Sequence, residues 1–205
     1  MNKTLLILSL LYFSCSIALN QKPSTETPGN SSPDLPLVLH DIELKWMPTE
    51  TITSTDSTKL KTLMKHTFKI NTFSNCRENT TEIGKNIEKE NVRTVSTTTD
   101  VGAWCSESFG VKLRDCGISV IADSANFTVD GCVKKFYVTE SKMYAGEIEI
   151  AFTVTNTSNG EKWSTTISGG YELWGKSYKA ENYVQCFSNA LMIIIDSFLS
   201  NPKFS

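Results

Sequence analysis

The stretch "GEIEIAFTVTN" alternates without a break: Ile148, Ile150, Phe152 and Val154 fall on one side, and Glu147, Glu149 and Thr153 on the other. A period of two is the pleat of a β-strand, so this segment predicts a strand with one buried face and one wet face. "CVKKFYVTESKMY" before it and "EKWSTTISGGYELW" after it read as its neighbours. Asn159-Gly160 suits the turn between the second strand and the third. Three such strands in succession predict an antiparallel sheet. The period then changes. "AENYVQCFSNALMIIIDSFLSNP" places Tyr183, Phe187, Ala190, Leu191, Ile194 and Phe198 along one stripe at helical spacing, with Pro202 beyond its end. Such a stripe covers the apolar face of the sheet.

A second helix is predicted upstream in "TTDVGAWCSESFGVKLRDCG". Asp100 can cap its start, and Gly117 can close its end. Val101, Trp104, Cys105, Val111 or Leu113, and Cys116 supply an apolar side, while Phe109 and Gly110 disturb the middle. "GISVIAD" reads as a short strand after it. "LVLHDIELKW" is rich in strand formers and opens the domain near Leu37. Residues 49–95 carry little periodicity, and "FKINTF" is their best strand. The expected fold is α+β: an antiparallel sheet with one face covered by two helices, the last at the C-terminus.

Residues 1–15 read as an export signal. Lys3 gives a positive start, and Leu5 to Phe13 form a nine-residue apolar run with one Ser. A spanning helix needs about 20 apolar residues, so this run fits a signal core instead. Two ends are open. "LYFSC" is a relaxed lipobox, with Ser14 before Cys15 and Leu11 in place of the usual Leu at Tyr12, which makes Cys15 a lipid attachment site. Ser16-Ile17-Ala18 instead allows an ordinary cut before Leu19. The lipobox is favoured because Cys15 sits where the apolar run ends. Residues 16–36 are rich in Pro, Ser, Thr and Asn. Such a composition predicts a disordered tether leading to a single domain over 37–205.

A net charge of −2 and the lack of any Lys/Arg block argue against a nucleic-acid partner. His40 and His66 are the only histidines, which disfavours metal and acid–base chemistry. No catalytic residue, metal ligand or cofactor site is expected, and the chain is not expected to be an enzyme. One motif speaks against that: "GYELWGKS", Gly170 to Ser177, fits the phosphate-loop spacing. Its variable positions alternate like a strand, and Glu172 would set a negative charge beside phosphates. The strand before it belongs to a hairpin sheet, whereas a phosphate loop follows a buried parallel strand. No nucleotide is expected there. Gly169 and Gly170 read as a bulge, and Gly175 as a strand end.

Cys76, Cys105, Cys116, Cys132 and Cys186 remain after the signal, and an oxidising compartment permits disulfides among them. Cys105 and Cys116 are three helical turns apart, roughly 16 Å, so they cannot bridge each other. The connectivity stays open. Asn30, Asn79, Asn126 and Asn156 head glycosylation triplets, which matter only on the secreted reading.

The order of these elements, with "DVGAWCSESFGVKLRDCG" before a short strand, then "GCVKKFYVTESKMY", "GEIEIAFTVTNTSNGEKWSTTISG" and the terminal "NALMIIIDSFL", resembles the YajG-like outer-membrane lipoproteins and the auxiliary lipoproteins of ABC-type transport systems. The resemblance covers roughly residues 92–202 and rests on pattern. It implies an α+β domain held at a membrane by a lipid, acting through protein or lipid contacts. The expected protein is thus a palmitate-bearing lipoprotein of the bacterial cell envelope. It is anchored in the outer membrane, facing the periplasm or the surface, as a scaffold or transport accessory with an envelope protein partner. The alternative is a soluble, secreted, disulfide-bonded and glycosylated binding protein.

Overall fold

The computed structural model describes residues 39–52 and 57–204; Cys15, the alternative cut before Leu19, the tether and Asn30 lie outside them. In chain order the elements are α1 (Ser57–Leu63), β1 (Thr67–Ile70), β2 (Ser74–Asn75), β3 (Glu82–Asn86), β4 (Arg93–Ser96) and α2 (Val101–Asp115). These are followed by β5 (Ser119–Val120), β6 (Phe127–Glu140), β7 (Tyr144–Asn156), β8 (Lys162–Leu173) and α3 (Ala180–Leu199). The fold is α+β, with its last helix at the C-terminus.

The strands β6, β7 and β8 form the antiparallel meander that their alternation predicts. Val129 pairs with Val154, Val133 with Ile150, and Phe136 with Ile148, so apolar side chains stack across the strands on one face. Ile148, Ile150, Phe152 and Val154 are all buried. The five residues from Thr157 to Glu161 join β7 to β8, with Gly160 at φ +73°, a conformation that favours glycine.

The other edge of β6 departs from the purely antiparallel expectation. β1, β2 and β3 lie along it in parallel, one after another, with Ile70 opposite Val129, Asn75 opposite Val133, and Asn86 opposite Glu140. The sheet is therefore mixed. Parallel neighbours need a long crossover, which runs here through β4, α2 and β5. These strands have two to five residues, too short to carry a readable period.

From Leu39 onward "LVLHDIELKW" is not a ladder strand. Among its described residues, 39–46, only Leu39 forms a bridge, to Val95. Beyond it the segment is a strap: Ile42 N–H donates to the Ser96 carbonyl (3.0 Å), and Met47 N–H to the Ser188 hydroxyl (3.0 Å). Thr49 N–H reaches Asn189 Oδ1 (2.8 Å). Its strand-like alternation buries Ile42 and Leu44, while side chains of α3 take donors that a neighbouring strand would otherwise take.

Helix α2 begins as predicted, with the Asp100 carboxylate accepting from Ala103 N–H at 3.0 Å. Gly117 follows its end at φ +81°. Leu113, not Val111, faces inward. Phe109, expected to disturb the helix, is instead a core residue, with its ring centroid 5.0 Å from Phe198 and 5.5 Å from Phe152. Helix α3 lies on the same face, and Phe187 stacks on Phe136 at 3.8 Å between centroids. All six stripe residues of α3 are buried.

The expected bulge at Gly169-Gly170 is absent, since pairing between β7 and β8 runs unbroken from Tyr144 to Thr155. Gly169 serves close approach instead. A Cβ there would sit 2.2 Å from the Ala190 carbonyl oxygen, so only glycine lets α3 settle this near the sheet. The bulge in this meander lies in β6, between Val133 and Lys135. It shifts the phase of the strand by one, leaves Lys134 and Lys135 in solvent, and turns Phe136, Val138 and Glu140 toward the helices.

Candidate functional site

That phase shift buries a carboxylate. Glu140 ends β6 with 1% of its surface exposed. Buried charge must be satisfied, and three donors converge on this residue. Its Oε1 accepts from Tyr178 N–H (2.6 Å), its Oε2 from the Tyr183 hydroxyl (2.7 Å), and its backbone carbonyl from Ile87 N–H (2.8 Å). Burial first, then the bond to Glu140 and its charge, pushes the Tyr183 phenol far above its ordinary value of 10.

Around Glu140 the loop 174–179 is pinned from several sides. The Tyr144 hydroxyl donates to the Lys176 carbonyl (2.6 Å) and accepts from Lys179 N–H (3.1 Å). Asn182 Nδ2 donates to the same Lys176 carbonyl (2.9 Å). Ser177 Oγ donates to the Glu88 carboxylate. Asn86, fully buried, accepts from Arg93 Nη2 (3.0 Å) and from Glu88 N–H (3.2 Å). The Arg93 guanidinium lies 4.0 Å from the centre of the Tyr178 ring, a cation–π contact. The Tyr178 hydroxyl accepts from Leu39 N–H (2.8 Å) and donates to the Thr94 carbonyl (3.2 Å).

This geometry sets the first half of the phosphate-loop spacing in a strand and the second half in the pinned loop. Gly170 lies inside β8, paired with Glu147. The N–H groups that follow the motif already have partners: Tyr178 N–H binds Glu140, and Lys179 N–H binds Tyr144. The anion held by this loop is the protein's own carboxylate. Nothing in "GYELWGKS" signals Glu140, but "VKKF" does. Apolar Val133 and Phe136, three apart, break the period of two and mark the bulge.

A shallow pocket elsewhere is lined by Arg77, Asn79, Glu82, Lys134, Phe136 and Tyr137. Arg77 is occupied in it, donating to the carbonyls of Thr80 (2.6 Å), Glu82 (2.9 Å) and Phe136 (3.1 Å). Desolvation lowers its pKa, and it acts as a clamp on the loop 76–81. The Tyr137 hydroxyl donates to Glu82 Oε1 (2.6 Å), and burial with that bond raises its pKa. Among the described residues no three His, Cys, Asp or Glu side chains gather as metal ligands.

Cys76 and Cys132 form a disulfide. Ser74 pairs with Cys132, and Cys76 N–H donates to the Val133 carbonyl (2.9 Å), so the parallel register brings the two sulfurs together. Cys105, Cys116 and Cys186 are free thiols, leaving three unpaired where an odd count required only one. Burial pushes the Cys186 thiol up to about 12 and the Cys105 thiol higher still. Asn79 and Asn126 are exposed and Asn156 is half-buried, each with Oδ1 bonded within a local turn or to Thr67.

No family model matches the chain, and no curated protein matches it in sequence. Among solved structures it is similar to a Xanthomonas campestris protein of family DUF330, with 11% identity and TM-score 0.49, over 80% of this chain and 88% of that one. The PelC dodecamer of Paraburkholderia phytofirmans shares 14% identity at TM-score 0.39, over 63% and 88%. Lipoprotein GNA1162 of Neisseria meningitidis shares 9% at TM-score 0.37, over 68% and 99%. Likenesses of this size carry nothing about what this chain does.

Proposed function

We propose that this protein is a lipid-anchored component of the bacterial cell envelope, attached through Cys15, with a non-enzymatic role as a scaffold or transport accessory. One observation carries the reading: the apolar run Leu5–Phe13 ends at Ser14-Cys15, and a Pro/Ser/Thr-rich stretch follows at once. One acyl chain holds a protein only marginally, whereas a diacylglyceryl cysteine with a third chain, palmitate for example, holds it stably. Ser16 lacks the negative charge that keeps some lipoproteins in the inner membrane, which supports the outer membrane. The non-enzymatic part is supported by how the polar groups are spent. Glu140, Tyr183, Tyr144, Asn86 and Arg77 are committed to holding loops, and their donors and acceptors meet each other. The partners on this reading are the membrane, through the lipid, and an envelope protein.

A second reading, a soluble secreted binding protein, is favoured by Ser16-Ile17-Ala18 and by the exposed acceptors Asn79 and Asn126. The Cys76–Cys132 disulfide fits both readings, since each places the chain in an oxidising compartment. Mass spectrometry of the mature N-terminus separates them. A terminal Cys15 carrying acyl mass is the expected result, and an unmodified terminus at Leu19 overturns the anchor.

A further inference from the structure

The two most exposed large apolar side chains among the described residues, together with Ile87, lie at one end of the domain. Trp174 is 71% exposed, Val92 59% and Ile87 42%. Three connections meet there: 87–92 between β3 and β4, 141–143 between β6 and β7, and 174–179 between β8 and α3. Their adjacency follows from bonds across them, Ser177 to Glu88, Tyr178 to Glu140, and Arg93 on the ring of Tyr178. The loop that carries Trp174 is thus fixed on a buried carboxylate, and its indole is held out in water. Solvent exposure of a Trp costs apolar hydration, and this loop offers the ring no cover.

The same end receives the chain from its N-terminal side. Leu39 bridges Val95 on β4, and its N–H donates to the Tyr178 hydroxyl at 2.8 Å, four residues from Trp174. An anchor at Cys15 therefore leashes the domain by the end that shows Trp174, raising the local concentration of that end at the bilayer above that of the opposite end. The charges agree. Lys89, Lys142, Lys176 and Lys179 are exposed on these connections, against Glu88 and Glu90. Exposed lysines there suit anionic headgroups, and an indole among them suits the headgroup level, where Trp is enriched.

We propose that this end of the domain docks on the lipid surface to which Cys15 tethers it, with Trp174 entering the headgroup layer and Ile87 and Val92 beside it. The inference rests on the lipid-anchor reading and adds an orientation to it. The sheet then stands with β6 running toward the membrane, and the opposite end, with the 157–161 turn, faces away for a protein partner.

The test uses the full mature chain purified from membranes, reconstituted with vesicles of phosphatidylethanolamine and phosphatidylglycerol. One set of vesicles carries acyl chains brominated near the headgroup. Expected are flotation with both sets, a blue-shifted indole component, and loss of that component's emission in the brominated set. Trp174→Phe should float equally and show no quenched component, while Trp46, Trp104 and Trp163 continue to emit. A chain that floats yet emits equally in both sets overturns the docking and leaves the anchor standing. A chain that does not float overturns the anchor at Cys15, and the docking with it.

Discussion

The Tyr183 hydroxyl, on the first turns of α3, donates to Oε2 of Glu140 at the end of β6 over 2.7 Å, where neither residue meets solvent. Forty-three positions apart in sequence, the two join the terminal helix to the sheet and hold the loop between them. Tyr183→Phe leaves the shape intact and removes one donor from a buried carboxylate. A bond to a charged group contributes about 1.5–3 kcal/mol, so urea melts should show a loss of that size. Glu140→Gln should lower stability as well. A Tyr183→Phe variant as stable as the parent would show that Tyr178 N–H suffices for Glu140.

Alkaline pH should act on the same helix. A group whose folded pKa is raised keeps its proton longer in the folded state, so its stabilisation is complete below the unfolded pKa and is lost as pH rises toward the folded value. Cys186 rises from 9 to about 12, and Tyr183 rises from 10, both mainly through burial. Stability should therefore hold up to about pH 9 and fall steadily above it. Tyr183→Phe should flatten the part of the fall above pH 10. Melts at several pH values with equal slopes for parent and variant would contradict the assignment.

Gly169 and Gly170 stand side by side in β8 but differ in what surrounds them. A Cβ at Gly169 meets the Ala190 carbonyl at 2.2 Å, whereas one at Gly170 comes no nearer than 3.8 Å to the Gly146 carbonyl. Overpacking costs about 1–3 kcal/mol, so Gly169→Ala should destabilise by that much or more, and Gly170→Ala only slightly. Equal effects on thermal unfolding would mean that α3 can move off the sheet. Since Gly170 lies in a strand and the N–H groups of Tyr178 and Lys179 are taken, ATP with Mg²⁺ should show no saturable binding in equilibrium dialysis. Saturable binding abolished by Lys176→Ala would restore the phosphate loop.

Within α3, Ile194 is fully buried, while its neighbour Ile193 is 38% exposed. Ile194→Ala should cost about 2–5 kcal/mol in urea melts, and Ile193→Ala much less. Similar small losses at both would remove α3 from the core.

The Cys76–Cys132 bond closes a loop across a sequence separation of 56. Chain-entropy reasoning assigns such a cross-link about 4 kcal/mol. The double variant Cys76→Ser, Cys132→Ser should unfold at correspondingly lower urea, and reductant should shift the parent but not the variant. A reductant shift that persists in the variant would point to another bond.

What the sequence determined on its own is what neighbouring residues decide among themselves. The period of two in Ile148, Ile150, Phe152 and Val154 set a strand and its buried face, because side chains alternate along any pleated backbone. Asp100 and Gly117 bounded α2 because a cap acts within one turn, and the stripe from Tyr183 to Phe198 marked the inner face of α3. The tertiary structure decided everything that depends on which distant segment lies alongside. The short strands β1, β2 and β3 acquire their parallel partners only from β6, and that register, with Ser74 opposite Cys132, selected one disulfide among five cysteines. Phe109, which spoils the helical pattern locally, was claimed by the rings of Phe152 and Phe198. Gly169, read locally as a bulge, proved to be room for the Ala190 carbonyl. Glu140 would sit on the wet face of an unbroken strand. One bulge turned it inward, and burial then required the Tyr183 hydroxyl and Tyr178 N–H to meet it, which no spacing along the chain expresses.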